Sequence, residues 1–273
     1  METQQTLQET LQAQPHKSKH IVVIPARIES TRLPRKLMLS DAGGIPVFAH
    51  TYYQAKKSIA DAVYVATDSS EILKYCALNG IPSITTHKYH RNGTSRIAET
   101  IEKLQNIEND DFIVNVQADE PEIDPEAINE LIFGSQSNSF QIQRNQFVLT
   151  LVSPLSECAK DNPSVVKAIL AGEDFDEGFE QAIFFTRKHI PYSWHHVGIY
   201  GYFAAFLREL DSFSTPECTK AENLEQINWL ANYCNIFAGM IKCHAAGIDT
   251  REQYEAFVGR WWMKLKKNEN EVR

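Results

Sequence analysis

The sequence predicts an α/β fold: a mostly parallel sheet with helices on both faces and a small mixed lobe added in the second half. Two observations carry that expectation. In the first half, short runs of apolar, β-branched residues alternate with segments of helical spacing, and strands separated in this way are joined by crossovers and run parallel. The sequence also shows neither an internal repeat nor a Gly/Ser/Pro-rich linker, so its 273 residues are expected to build one elaborated domain.

The run at 20–24, His-Ile-Val-Val-Ile, is continuous, as a strand covered on both faces is, and Pro25 is expected to end it. A loop rich in Arg, Ser and Thr follows to about residue 40. Pro46 suits a first helical turn, and Val47, Phe48, Tyr52 and Ala55 recur at helical spacing, which predicts a helix over 46–59. Residues 62–67 read as a second buried strand. Asp68, Ser69 and Ser70 are N-cap residues for a helix that Asn79-Gly80 closes. A third strand is expected at 81–85, a helix at 94–104 with Ile97, Ile101 and Leu104 on one face, a fourth strand at 112–116 and a helix at 125–133. Beyond these, 147–152, 165–170, 182–185, 199–203 and 240–244 read as strands, and 221–234 and 251–265 as helices.

Lys plus Arg number 27 and Asp plus Glu 35, a net charge of −8. An acidic chain argues against general nucleic-acid binding and against a basic membrane-surface protein, so an anionic ligand requires a local basic cluster. Five cysteines (Cys76, Cys158, Cys218, Cys234, Cys243) show no C-x-x-C spacing and suit reduced thiols in a cytoplasmic protein. The longest apolar run, 197–207, is 11 residues and contains glycines; about 18 are needed to span a bilayer. Residues 1–19 are Gln-rich without an apolar stretch and are expected to form a flexible tail. A charged tail is expected at 266–273.

The basic cluster lies directly after the first strand. Arg27, Arg32, Arg35 and Lys36 sit in one loop with Ser30 and Thr31 between them. Ligands of open α/β sheets bind beyond the carboxyl ends of strands. Arginine forks, a lysine charge and hydroxyls there suit a polyphosphate. Neither G-x-x-x-x-G-K-[ST] nor G-x-G-x-x-G occurs, which excludes a P-loop NTPase and weakens a dinucleotide reading. A second candidate is Asp119-Glu120 at the end of the fourth strand, because Mg²⁺ takes one or two carboxylates plus phosphate oxygens. Asp249 is a third, either a metal-binding carboxylate or simply the start of the last helix.

Seven motifs then occur in a telling order. They are Pro25-Ala26-Arg27 with Ser30-Thr31-Arg32-Leu33-Pro34 and Lys36; Ala66-Thr67-Asp68; Gly93-Thr94 with Arg96 and Ala98-Glu99; Val114-Asn115-Val116-Gln117 with Asp119-Glu120-Pro121; His196 with Gly198-Ile199-Tyr200-Gly201-Tyr202; Leu224-Glu225-Gln226; and Asp249-Thr250. Together, from about residue 20 to residue 257, they resemble the 3-deoxy-manno-octulosonate (Kdo) cytidylyltransferases, the CMP-Kdo synthetases of lipopolysaccharide assembly. The resemblance implies a Rossmann-like nucleotidyltransferase sheet and a cytoplasmic enzyme, with a homodimer among the assemblies it allows. Its reaction would convert CTP and Kdo to CMP-Kdo and pyrophosphate by Mg²⁺-assisted in-line attack on the α-phosphate.

By the same resemblance, Arg27, Lys36 and Asp119 would carry the reaction, and Asp119 and Asp249 would hold the metal. Arg27, Ser30, Arg32, Lys36, Thr67, Asp68, Gly93 and Thr94 would bind nucleotide. Gln117, Arg187, His196, Tyr200, Glu225 and Gln226 would bind the sugar, with Arg187 suited to its carboxylate and at least one of Tyr200 and Tyr202 in the core. The domain would span 20–265, with 20–140 mainly nucleotide-binding and 141–265 mainly a sugar-binding and dimer lobe. Departures are Ala118 and Arg35 where the family carries Gly, Ser95 for an acid, Phe203 for a basic residue, and a short segment between Pro191 and His196. They leave room for another acidic keto sugar, such as an amino-Kdo or a sialic acid, and a non-catalytic nucleotide-binding relative is the remaining alternative.

Overall fold

The computed structural model describes residues 17–137, 144–172, 175, 178–242, 244 and 247–271, with backbone alone at 218, 220, 221 and 264–271. Its first half is the expected alternation. Strands β1 (His20–Ala26), β2 (Ala62–Thr67), β3 (Ser83–Thr85) and β4 (Phe112–Asn115) stand in the order β3-β2-β1-β4, all parallel. Strand side chains alternate between faces. Val22 and Ile24 therefore join one core, with α1 (Val47–Ala55), α2 (Ser70–Leu78) and α4 (Pro125–Ser135). Ile21 and Val23 join the other, with α3 (Gly93–Lys103).

Pro25 lies inside β1, opposite Ala66, and the strand runs on to Ala26. The Val23 carbonyl faces β4, accepting from the Val116 N–H. Alternate residues face the same side, so the N–H that proline lacks would also point toward β4. The ladder to β4 ends at Val23↔Asn115, and no bond is forfeited there.

The second half corrects the expectation of a mostly parallel sheet. Its elements are β5 (Phe147–Ser153), α5 (Glu157–Lys160), β6 (Lys167–Leu170), β7 (Phe179–Thr186), β8 (Trp194–Phe203), α6 (Ala204–Glu209), α7 (Glu217–Glu222), α8 (Glu225–Ala231), β9 (Asn235–Met240) and α9 (Arg251–Glu271). The single sheet has nine strands in the order β3-β2-β1-β4-β8-β5-β9-β7-β6, with a further pairing of β8 to β6. Only β5–β9 is parallel here; β4–β8, β5–β8, β6–β7, β6–β8 and β7–β9 are antiparallel, so the sheet is mixed. The connections β6-β7 and β7-β8 are too short for a crossover. The long strand β8 takes β5 along one edge and divides the other between β4 and β6, so β8-β5-β9-β7-β6 close into a ring.

Several boundaries move. The helix expected at 46–59 stops at Ala55, and the strands expected at 81–85 and 165–170 begin at Ser83 and Lys167. The helix expected at 221–234 is broken by Asn223, which is left-handed (φ 51), giving α7 and α8. The strand expected at 240–244 lies instead at 235–240, and residue 243 falls outside the described set. Residues 266–271, read as tail, continue α9, whereas residues 1–16 and 272–273 lie outside the described set. Cys76 and Cys234 are buried and Cys158 exposed, all three as free thiols; Cys243 and the Cys218 side chain are not among the described residues. Among the described residues no helix is long and apolar enough to cross a membrane.

Central packing is tight at Gly201 of β8. A Cβ there would overlap the ring of Phe112, coming within 2.8 Å of Cε1. Phe112 is fully buried and packed edge-on against Phe203 at 5.3 Å, so the ring has nowhere to go. Gly201→Ala is expected to destabilise the fold by roughly 1–3 kcal/mol through overpacking, read as a lower midpoint in thermal and urea melts.

Candidate active site

Because β1 and β4 are parallel neighbours, their carboxyl ends deliver two loops to one rim. Between that rim and the ring lies a cavity of about 680 Å³. The basic loop after β1 brings Arg27, Ser30, Arg32 and Lys36 into its wall. The loop ends in a one-turn 3₁₀ helix, Lys36–Met38, entered through Arg35 in the left-handed region (φ 57), where glycine is the unstrained residue. The Arg35 guanidinium lies 2.5 and 2.6 Å from the Glu71 carboxylate oxygens, so its charge is spent on α2 and not on the cavity. Ala118 does not adopt a positive φ. It is buried and its carbonyl accepts from the Thr51 hydroxyl at 3.0 Å, so the methyl group costs no backbone strain.

Asp119 and Asp249 meet in this wall. The Lys36 ammonium donates to Asp119 Oδ2 at 2.5 Å and to Asp249 Oδ1 at 2.8 Å, and the Arg32 guanidinium lies 2.8 Å from Asp249 Oδ1. The two segments are joined by the Ile248 N–H donating to the Asp119 carbonyl at 2.8 Å. Burial opposes the charge on Lys36, but the two carboxylates outweigh it and the net shift is upward. The start of α9 is capped by other groups. Gln253 Oε1 accepts the N–H groups of Asp249 and Thr250, and Thr250 Oγ1 accepts from the Gln253 N–H. This reciprocal cap leaves the Asp249 carboxylate free for the cavity. Among the described residues no group of three or more His, Cys, Asp or Glu forms a metal cage. Two carboxylates are nevertheless the donor set Mg²⁺ uses when phosphate oxygens and water fill its remaining positions.

The N-terminus of α3 also faces the cavity. Asn92 caps it, its side chain accepting from the Ser95 N–H, and Gly93 and Thr94 line the wall. A Cβ on Gly93 would lie 3.1 Å from Pro25 Cγ, so the small residue lets the helix approach the end of β1. The N–H groups and dipole of a helix start favour an anion. Thr67 and Asp68 do not line the cavity. Thr67 is fully buried and accepts the Ser69 N–H, while Asp68 pairs with Arg96 at 2.8 Å, and it is Arg96 that reaches the wall. Sequence reasoning cannot separate a residue that opens a helix from one that binds a ligand there.

Gln117, Arg187, His196, Tyr200, Glu225 and Gln226 line the cavity too. His196 is buried against Thr150 Oγ1 at 2.9 Å. Burial, with His195 and His244 nearby, pushes its pKa down to about 3, so it is a neutral ring. Gln226 donates to the Tyr200 hydroxyl. Burial raises Glu225 to about 7 even though the Thr94 hydroxyl donates to its Oε2 at 2.5 Å.

A polar chain missed in the sequence underlies both walls. Gln117 donates to Asn115 at 3.2 Å, Asn115 donates to the Tyr202 hydroxyl at 3.0 Å, and that hydroxyl lies 3.3 Å from Thr94 Oγ1. Asn115 and Tyr202 are both buried, and of the two Asn115 reaches the cavity wall while Tyr202 does not; an asparagine inside an apolar strand is the signal the sequence carries.

Glu120, the acidic neighbour of Asp119 in the second candidate, also lines the cavity, and so do His195 and His244, which the sequence does not point to. Burial, reinforced by the Asp119 charge, raises Glu120 to about 8, and its Oε2 has no hydrogen-bond partner. A carboxyl raised in the folded state contributes stability that is complete below the unfolded pKa and is lost as pH rises through the folded value. Between pH 5 and 9 the ligand-free protein is therefore expected to lose stability that Glu120→Gln retains. The variant should gain a few kcal/mol on the wild type across that range, checked by urea melts at each pH; parallel curves would contradict the assignment.

Comparison with known proteins follows the same lines. The profile of a family described as cytidylyltransferase matches residues 21–236. A 3-deoxy-manno-octulosonate cytidylyltransferase from Polynucleobacter necessarius is 36% identical over 250 residues, covering 86% of this chain and 92% of the relative. One from Francisella tularensis subsp. novicida is 34% identical over 251 residues, covering 86% and 95%. Among solved structures, a CMP:2-keto-3-deoxy-manno-octonic acid synthetase complexed with CTP superposes with a TM-score of 0.80 at 29% identity, over 90% of this chain and 100% of that one. A 4-diphosphocytidyl-2C-methyl-D-erythritol synthase, at 15% identity and a TM-score of 0.56, shares the fold.

Proposed function

The chain belongs to the 3-deoxy-manno-octulosonate cytidylyltransferase family, and from that premise we propose that it makes CMP-Kdo and pyrophosphate from CTP and Kdo, for lipopolysaccharide biosynthesis in the cytoplasm. The observation that carries this reading is the convergence of Asp119 and Asp249 on Lys36 beside the arginines of the β1 loop. The anomeric hydroxyl of the sugar attacks the α-phosphorus, an O–P bond forms, the α–β bridging bond breaks, pyrophosphate leaves and the hydroxyl proton passes to solvent. Such transfer asks for alignment and charge neutralisation rather than a covalent nucleophile.

Arg27, Arg32 and Lys36 neutralise the triphosphate and the charge that builds on the departing pyrophosphate. Ser30 and the α3 terminus at Gly93-Thr94 add donors to the phosphates. Arg187 receives the sugar carboxylate, Gln117, Glu225 and Gln226 its hydroxyls, and neutral His196 with Tyr200 closes the pocket around the ring. Asp119 and Asp249 would hold Mg²⁺, and the hard oxygen set with side chains 27% and 31% exposed toward the cavity fits it. When bound, the ion supplies Lewis-acid polarisation of a phosphoryl oxygen.

We read 20–140 as mainly the nucleotide part, of Rossmann-like type, and 141–265 as mainly the sugar and dimer part. Ile183 and Phe184, exposed together on β7 where the β6–β7 register shifts, suit a second copy of the chain. Pyrophosphate release with each of the four nucleotides, with and without Kdo, tests the reading. Release is expected with CTP and Kdo alone; release only with another keto acid selects a different sugar, and CTP binding without turnover under any acceptor overturns catalysis.

A further inference from the structure

Lys167 opens β6 and has no solvent exposure, yet it touches no ligand-facing surface of the cavity. A buried ammonium is costly unless its donors are satisfied, and an ammonium has three. All three go to backbone carbonyls: Asn162 O at 2.7 Å, Val165 O at 3.0 Å and Arg187 O at 3.0 Å. The acceptors belong to two segments that reach the cavity from different directions. Asn162, Ser164, Val165 and Val166 line it from a stretch with no regular secondary structure, and Arg187 lines it from the end of β7.

The same stretch is tied again to the sugar wall. The Arg187 guanidinium donates to the Pro163 carbonyl at 3.0 Å, and the His196 N–H donates to the Val166 carbonyl at 2.9 Å. Four carbonyls of an irregular loop are thus taken by Lys167, Arg187 and His196, and only Lys167 bonds both to the loop and to the Arg187 backbone.

From this knot we infer that Lys167 is a positioning residue for the acceptor sugar: one buried cation fixes the 162–166 loop to Arg187 and so aims the Arg187 guanidinium at the sugar carboxylate. The inference rests on the reading of Arg187 as the carboxylate partner. Without the ammonium, the Asn162 carbonyl keeps only the Val165 N–H and the Val165 and Arg187 carbonyls lose the lysine as donor, the loop and the Arg187 backbone part, and the guanidinium loses the geometry that a paired carboxylate needs. The hydrogen bonds of the knot involve neither Arg27, Arg32 and Lys36, which face the triphosphate, nor Asp119 and Asp249, so the effect is confined to one substrate.

Steady-state kinetics of Lys167→Met, Arg187→Met and the double variant test this. Lys167→Met is expected to raise KM for Kdo by roughly tenfold or more, with KM for CTP within about twofold and a smaller change in kcat. The double variant is expected to be little worse than Arg187→Met alone, because both remove one contact. A KM that rises equally for both substrates, or single effects that multiply in the double variant, overturns the role of Lys167. An Arg187→Met enzyme with unchanged KM for Kdo instead overturns the reading beneath it. Should Lys167→Met melt below the assay temperature, Lys167→Gln, which keeps length and a donor without the charge, takes its place under the same criteria.

Discussion

Asp119→Asn is expected to reduce turnover with CTP and Kdo by about 10²–10⁴-fold while the protein stays folded. The substitution changes one oxygen to an amide nitrogen and leaves volume and backbone intact. The backbone role of this residue is separate, since its carbonyl accepts the Ile248 N–H and survives the change. What is lost is a hard anionic oxygen that faces both the cavity and Lys36. Half-saturation by Mg²⁺ should rise at the same time, because one of the two carboxylates available to the ion is gone. Pyrophosphate release across a Mg²⁺ series, with a thermal melt alongside, checks both parts. Near-native turnover would show that Asp119 merely balances the lysine.

How far the sequence could be read depends on what each residue does with its side chain. Strands β1, β2 and β4 are covered on both faces, so their apolar runs are continuous and announce themselves. Strand β9 is not: its residues alternate between buried and partly exposed, and Gly239 makes room for Phe179, so the run was read five residues too late. The basic loop was legible because four cations in an acidic chain need a reason to be together. The pairing of Asp119 with Asp249 was implied by family resemblance alone, as spacing says nothing about residues so distant in the chain. The residues that build the site from beneath, Asn115, Tyr202 and Lys167, are buried polar groups inside strands. Nothing in a sequence tells whether such a group is paired or facing a ligand. Thr67 and Asp68, which the resemblance implies as nucleotide contacts, lie outside the cavity lining, and residues that start a helix and residues that bind a nucleotide are of the same kind.

Lys36→Met separates two roles that Lys36 holds at once. In the ligand-free structure its ammonium sits between Asp119 and Asp249 and occupies the oxygens that a divalent cation would use. In the reaction the same charge is needed on the phosphates, where pyrophosphate departs. Removing it is therefore expected to lower kcat by about 10²–10³-fold and, in the same protein, to tighten Mn²⁺ or Mg²⁺ binding in the absence of nucleotide, since the competing ammonium is gone. Arg32, 2.8 Å from Asp249, does not replace it, because no ion pair joins it to Asp119. The two carboxylates, left without the ammonium between them, repel, so the metal-free variant should be less stable than the wild type and recover when the ion is added. Calorimetric titration with Mn²⁺, single-turnover kinetics at saturating CTP and melts with and without metal read the three effects. A lysine that only balanced charge would show the change in metal affinity with kcat preserved, whereas one that only bound phosphate would show the fall in kcat with metal affinity unmoved; the bridging geometry requires both to change, in opposite directions.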